Sequence, residues 1–319
     1  MKTIGVLTSG GDCSGMNAAI KSIVEESSRH HIKVKGILEG YKGLIYDKVI
    51  SLDYSRVAGI MQRGGTFIMS SRSPEFKTAE GFNKALETIK KEKIDGIIVI
   101  GGDGSLRGAQ KLHNAGIKTI GIPGSIDNDI YGTNMSIGVD TSLNIITRSV
   151  DIIRDTASSH GRAFVIETMG RENGYLAAMG AMASGAEGVL IPEIGFDIDS
   201  ISKRLKKEHD NGRMYSIIIV SEGTHKTEEM AEKLRTQAKL ETRITILGHL
   251  QRGGSPTVFD RTLAIRMGTV AVGLLKSKKS GYMVGLNRSK ITHTTFDDVF
   301  SHKKELGPKI KAFVKRKSH

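Results

Sequence analysis

Short runs of Val, Ile, Leu and Gly alternate along the chain with segments whose apolar positions recur at helical spacing. Runs that are apolar throughout and bounded by turn residues read as strands buried on both faces, and their regular alternation with helices is the pattern of parallel sheets. Strands are predicted at Thr3–Thr8, Val34–Leu38, Gly96–Gly101, Thr119–Pro123, Ala163–Thr168, Gly188–Pro192, Ser216–Ser221, Arg243–Leu247 and Tyr282–Leu286. Helices are predicted at Gly15–His30, Thr78–Lys91, Ser105–Ala115, Thr141–Ser158, Asn173–Ser184, Ile198–Asp210, Thr227–Lys239 and Asp260–Lys276. The fold class is α/β, with two Rossmann-like αβα sandwich domains and mainly parallel sheets. No Pro/Ser-rich linker separates two halves, so the chain is expected to cross between domains more than once, first near Gly138.

Composition narrows the function classes. With 319 residues, 38% hydrophobic and 25% charged, the chain has the make-up of a soluble protein and enough length for two cores. The lone Cys13 excludes an intramolecular disulfide framework, and the N-terminus lacks the apolar stretch of a signal peptide or membrane span. A cytoplasmic enzyme with no membrane partner is expected. The net charge of +13 raises the question of nucleic acid, yet residues 303–319 alone hold seven Lys/Arg against Glu305, which reads as a solvated helical tail. Elsewhere Arg162, Arg171, Arg243 and Arg252 each stand at the edge of an apolar run, a placement that suits small phosphorylated ligands better than a DNA track. Only 5% of residues are aromatic, too few for a single-strand stacking platform, so no nucleic acid is expected.

The chemistry concentrates at three strand ends. Gly121-Ile122-Pro123-Gly124-Ser125-Ile126-Asp127-Asn128-Asp129 sets two carboxylates two residues apart beyond an apolar run, where a catalytic base would sit; the bland alternative is an Asx-turn that folds the loop. Ser9-Gly10-Gly11-Asp12-Cys13-Ser14-Gly15 and Gly101-Gly102-Asp103-Gly104-Ser105 are glycine turns that would aim backbone N–H groups and a helix N-terminus at an anion. One such turn is as readily a plain chain reversal. Two of them, each with an Asp, favour a polyphosphate and its metal, with Asp103 acting through Mg²⁺, although either Asp can serve as an N-cap. Neither turn is a Walker loop or a dinucleotide fingerprint. The ten histidines show no zinc spacing. Cys13 reads as an inert small hydrophobe, or as a reactive thiol if the helix N-terminus lowers its pKa.

Taken in order, Ile4-Gly5-Val6-Leu7-Thr8-Ser9-Gly10-Gly11-Asp12, Gly15-Met16-Asn17-Ala18-Ala19, Arg63-Gly64-Gly65-Thr66, Gly101-Gly102-Asp103-Gly104-Ser105, Pro123–Asp129, Met169-Gly170-Arg171 and Gly248-His249-Leu250-Gln251-Arg252-Gly253-Gly254-Ser255-Pro256 resemble bacterial 6-phosphofructokinases over essentially the whole chain. The resemblance implies an ATP-binding domain of residues 1–138 plus 251–301 and a fructose 6-phosphate-binding domain of residues 139–250 plus 302–319. It makes Asp127 the general base, Arg171 the group that stabilises the transition state, and Ser125 and Asp129 their catalytic companions, Asp129 orienting the sugar. It assigns Gly11, Tyr41, Arg72, Ser73, Gly102, Asp103, Gly104, Ser105 and Gly108 to ATP, with Tyr41 as a stacking ring. Sugar phosphate falls to Arg162, Met169, Gly170, Glu222, Arg243, His249 and Arg252 beside the catalytic residues, with Arg162 and Arg243 reaching in from a neighbouring subunit of a homotetramer. Glycines at 104 and 124 are expected to leave room for an α-phosphate and ribose, so ATP is the expected donor.

The resemblance also locates an effector site for ADP or phosphoenolpyruvate, and here the chain departs from the pattern. Lys21 and Tyr54 stand for Arg, Glu25 stands for Arg one helical turn after Lys21, and Asn211 stands for Lys; Arg154, Gly185, Glu187 and Arg213 remain. At ~8 Å and an effective dielectric of ~20, each unit of charge is worth about 2 kcal/mol against an anion. Weak or absent allosteric control is expected, and Gly161, where regulated relatives carry Glu or Gln, points the same way. The alternatives from other classes are a pyrophosphate-dependent or other sugar-phosphate kinase and a non-catalytic nucleotide sensor.

Overall fold

Two sheets account for every strand, one of seven strands and one of four, in a computed structural model that describes residues 1–319. In chain order the elements begin with β1 (Thr3–Ser9), α1 (Met16–Arg29), β2 (Lys33–Ile37), α2 (Tyr41–Ile45), β3 (Val49–Leu52), α3 (Ala79–Lys91), β4 (Gly96–Gly101), α4 (Asp103–Asn114) and β5 (Lys118–Pro123). They continue with α5 (Val139–His160), β6 (Ala163–Thr168), α6 (Tyr175–Ser184), β7 (Gly188–Leu190), α7 (Ile198–Asp210), β8 (Ser216–Ser221), α8 (Thr227–Thr236) and β9 (Thr242–Ile246). The chain closes with α9 (Val258–Lys276), β10 (Tyr282–Asn287), β11 (Lys290–Thr295), α10 (Phe296–Ser301) and α11 (Pro308–Lys317).

The first unit comprises Met1–Ser125, Asp129–Thr141 and Arg252–Lys304. Its sheet runs β11-β10-β5-β4-β1-β2-β3, parallel except where β3 and β11 fold back as hairpins at the two edges. The central strands β1 and β4 are buried along their whole lengths, which is why their sequences carry no polar alternation. The second unit comprises Ile126–Asn128, Ser142–Gln251 and Glu305–His319, with the all-parallel order β7-β8-β6-β9. Val165, Ile218 and Val220 form its core with Leu205 of α7 and Met230 of α8. No helix is long and apolar enough to cross a membrane.

The predicted α/β class holds, and the differences have local causes. The first crossing falls at 125/126 rather than near Gly138: residues 126–128 belong to the second unit, the chain then returns to the first, and it leaves again after Thr141. Buried Asp260, in the first turn of α9, accepts hydrogen bonds from Gly138 N (2.9 Å), Thr141 N (2.8 Å) and Thr141 Oγ1 (2.5 Å), which ties the opening of α5 to the first unit. The crossings at 251/252 and 304/305 put residues 302–304 with the first unit. The basic tail is not merely a solvated surface: Val314 is buried, Ser318 O accepts Asp197 N at 2.9 Å, and Arg204 Nε donates to His319 O at 3.2 Å. Cys13 is fully buried with its thiol donating to Ile137 O at 3.1 Å, which sets aside the reactive reading.

Candidate active site

In the first unit the strand order reverses between β1 and β4, because β2 and β3 lie on the other side of β1. Ligands of open parallel sheets collect beyond the C-terminal strand ends at such a reversal. Both glycine turns leave their strands there: Ser9 pairs with Gly101, and Gly101 with Pro123, so the Pro123–Asp129 segment starts from the same edge. Ser105 Oγ donates to Ser9 O at 2.8 Å and closes the second turn onto the first. Neither Asp is an N-cap, since Gly15 caps α1 and Gly102 caps α4. Asp103 instead accepts from Arg107 Nε, one helical turn on, at 2.8 Å. No group of three or more His, Cys, Asp or Glu gathers anywhere. The turns therefore offer Asp12 and Asp103 with no larger cluster around them, a sparse donor set that fits a divalent ion arriving with its phosphates.

The other predicted nucleotide residues meet around this edge, with two corrections. Tyr41 donates from its hydroxyl to Ser105 O at 2.6 Å, and a Cβ on Gly108 would lie 2.6 Å from that oxygen. The Tyr41 ring is 4% exposed and stacks on Phe76 at 4.1 Å, so it is a wall of the core and not an open stacking face. The loop that carries exposed Arg72 and half-buried Ser73 is tied to the first turn through Ser70 Oγ, which donates to Gly10 O at 2.7 Å. Of the two glycines expected to leave room for the donor, only Gly104 faces open space; a Cβ on Gly124 would meet Met16, Ile100 and Cys13 at 3.2, 3.4 and 3.6 Å. Arg252 lies on the first turn: Nη1 donates to Asp12 O at 3.2 Å, and only a glycine at position 11 admits it, because a Cβ there would sit 2.3 Å away. Ser14 Oγ donates to Gly253 O and Gly254 O at 2.9 and 2.7 Å, tying the first turn to the Arg252–Pro256 segment.

In the second unit Asp127 is 2% exposed, and Arg171 Nε stands 3.3 Å from its Oδ2 with 59% of the arginine side chain exposed. Residues Met169–Arg171 leave the end of β6 and Glu222 leaves the end of β8, whose last pair is Thr168 with Ser221. His249 belongs to the turn after β9. Gln251, which the sequence left without a role, ties that turn to Met169: its Oε1 accepts Met169 N at 3.2 Å while its Nε2 donates to Gly248 O at 2.9 Å.

Arg162 and Arg243 lie at the other end of the same sheet. Arg162 precedes β6, and Arg243 pairs with Phe164 near the strand's start. A strand rises about 3.3 Å per residue, so roughly 20 Å separates them from Arg171, too far for one small sugar phosphate to touch both groups. Arg162 Nε and Arg243 Nη2 converge on Glu241 Oε1 at 2.9 and 2.7 Å, within reach of a single anion. Hydrogen bonding to Arg162 holds the Glu241 carboxyl below its ordinary pKa. Glu241 thus occupies both cations, and if they take the sugar phosphate that the resemblance implies, Glu241→Gln is expected to lower its KM about threefold, a modest gain because the group is exposed and screened. An unchanged or higher KM in steady-state kinetics would mean that the two arginines do not meet the phosphate.

Sequence reading also missed Lys304, which the fold returns to the Asp129 segment. Its ammonium donates to Asn134 O at 3.1 Å; burial pulls its pKa down to about 7, and the charge of Asp129 opposes the shift. Of the eight effector-site positions, the five charged ones are engaged within their own units. In the first, Lys21 pairs with Glu25 and lies 5.4 Å over the exposed ring of Tyr54. In the second, Arg213 holds Glu187 at 2.9 Å and Glu208 at 2.8 Å, Arg154 donates to Ser184 O, Asn211 ends α7, and Gly185 has a left-handed φ of 69°.

Glycine turns at the reversal point of its parallel sheet make the first unit a phosphate-binding unit of the α/β kind, and the second unit by itself pairs a buried carboxylate with an exposed arginine. A phosphofructokinase family model matches residues 3–275, and the chain belongs to the phosphofructokinase family. It is 48% identical over 303 residues to an ATP-dependent 6-phosphofructokinase of Bacillus pumilus, covering 95% of each chain. Against the ATP-dependent 6-phosphofructokinase of Oceanobacillus iheyensis it is 50% identical over 301 residues, covering 94% of each. Among solved structures, phosphofructokinase from Saccharomyces cerevisiae superposes with a TM-score of 0.89 at 34% identity; the match covers 94% of this chain and 45% of the yeast chain.

Proposed function

We propose that this protein transfers the γ-phosphoryl group of MgATP to the 1-hydroxyl of fructose 6-phosphate, the committed phosphorylation of glycolysis, in the cytoplasm. The observation that carries the reading is the Asp127–Arg171 pair at 3.3 Å. Asp127 follows Ser125 by two residues, and Ser125 leaves β5 beside both glycine turns. The turns at Gly11 and Gly102–Ser105 would hold the phosphates on backbone N–H groups, with Asp103 facing the magnesium they carry and Arg72 bridging the two substrates' phosphates. Asp127 takes the proton of the attacking hydroxyl, which Asp129 orients. Arg171 leaves Asp127 for the equatorial oxygens of the transferred group, a move that its exposure permits, while Ser125 keeps a hydroxyl beside them.

His249, Arg252, Met169, Gly170 and Glu222 would hold the sugar phosphate within one chain. Arg162 and Arg243, at the far end of β6, would serve a neighbouring subunit of a homotetramer. The edge strand β9 that carries Arg243 also exposes Ile246 (63%) at its other end, and Leu250 (68%) follows it, an apolar edge that a neighbouring subunit would cover. A coupled assay with fructose 6-phosphate tests the reading: turnover with MgATP and little with pyrophosphate is expected, and a better rate with pyrophosphate, or ATP binding without turnover, overturns it. The same assay tests control. With Lys21 committed to Glu25 and Arg213 to two carboxylates, the fructose 6-phosphate curve should be nearly hyperbolic and insensitive to ADP and phosphoenolpyruvate. A strongly sigmoidal curve relieved by ADP would show that the switch survives.

A further inference from the structure

Arg171 is held in a backbone conformation that few non-glycine residues adopt. Its φ is 53°, in the left-handed region, directly after Gly170 at φ 146°. A non-glycine residue persists there when its surroundings over-determine it. Two neighbours do so. Glu222 Oε1 accepts both Gly170 N, at 3.1 Å, and Arg171 N, at 2.7 Å. On the opposite side, the Arg171 carbonyl lies against Gly223 so closely that a Cβ there would stand 1.9 Å from the oxygen. The turn is closed internally by Asn173 N donating to Gly170 O at 2.9 Å. Asp127 is presented in a similar way, since the next residue, Asn128, has φ 52°. The two partners of the 3.3 Å pair therefore each stand at a left-handed turn.

We infer that Glu222 is a positioning residue, whose carboxylate gathers the N–H groups of Gly170 and Arg171 and fixes the turn from which the guanidinium works. Consecutive N–H groups converging on one oxygen form an anion nest, and here the occupant is a side chain of the protein itself. The arrangement sets the direction of the Arg171 side chain through its backbone, without Glu222 touching the guanidinium. It gives Glu222 a role beyond contacts with sugar hydroxyls, and it rests on the proposal that Arg171 acts on the transferred phosphoryl group.

Glu222→Ala and Glu222→Gln separate this role from a purely substrate-binding one. The glutamine oxygen can accept the same two N–H groups, whereas alanine leaves them without that acceptor. In Glu222→Ala, kcat should fall by about a hundredfold, the scale of a misplaced catalytic group. KM for fructose 6-phosphate should also rise as the sugar contact is lost, and amide hydrogen exchange at Gly170 and Arg171 should accelerate in the absence of substrates. Glu222→Gln should restore most of both kcat and protection. In an Arg171→Ala background, Glu222→Ala should lower kcat no further. Unchanged exchange in Glu222→Ala, a loss confined to KM, or a Gln variant as impaired as Ala would each overturn the assignment. The exchange measurement needs no turnover, so it stands even if the wild-type chain proves not to phosphorylate fructose 6-phosphate.

Discussion

Replacing Asp127 with serine is expected to lower kcat by about 10²–10⁴-fold, the usual worth of a general base, while MgATP still binds. Serine keeps a small polar side chain at a site that is 2% exposed but cannot take up the proton of the attacking hydroxyl. Breaking a buried ion pair commonly unfolds a protein by leaving a buried charge behind. Here the surviving partner, Arg171, has 59% of its side chain exposed and is re-solvated, so the fold should survive. The donor's turns follow β1 and β4 and contain no part of this pair, so calorimetric titration with MgATP should be unaltered. A variant that retained more than about a tenth of wild-type kcat would show that another group accepts the proton.

The second large effect concerns the donor. Gly104 is the second residue of α4, and a Cβ there meets nothing within 4 Å. An aspartate in a first helical turn favours the helix by about 0.3–1 kcal/mol, so Gly104→Asp should not harm folding. A carboxylate about 4 Å from a donor phosphate at an effective dielectric of ~20 costs about 4 kcal/mol, which corresponds to roughly 10³-fold in kcat/KM for ATP. Gly104→Ala adds the carbon without the charge and should stay near wild type. If the alanine variant lost as much as the aspartate variant, crowding and not charge would be the cause; an aspartate variant with near-normal ATP use would remove Gly104 from the donor site altogether.

Much of the fold was legible because buried parallel strands advertise themselves. Ile97–Ile100 can hardly be anything else, and the turn that follows identifies the catalytic edge of the sheet. The edge hairpins were not legible. Lys290–Thr295 alternates polar residues beside a short strand, and its turn is carried by Arg288 at φ 55°, where an Asn-Gly pair would have signalled a hairpin. The motifs located the site residues along the chain but not what they touch. Tyr41 carries no mark of its burial against Phe76 and Gly108. Lys304 is distant in sequence from Asp129. Glu241 is one acid among many until two strands bring Arg162 and Arg243 onto one of its oxygens. Ser14 gains its meaning only from two carbonyls about 240 residues away along the chain.

The placement of Arg162 and Arg243 at the start of β6, opposite the end that carries Arg171, has a genetic consequence. Each chain in the proposed tetramer would lend two cations to a centre that it does not own. A lesion in Asp127 of one chain and a lesion in Arg243 of its neighbour would then fall in the same centre and leave the other centre whole. Mixed assemblies would contain centres in which a sound base faces sound arginines, so the two alleles would complement each other. A chain with both lesions would have nothing to contribute on either side.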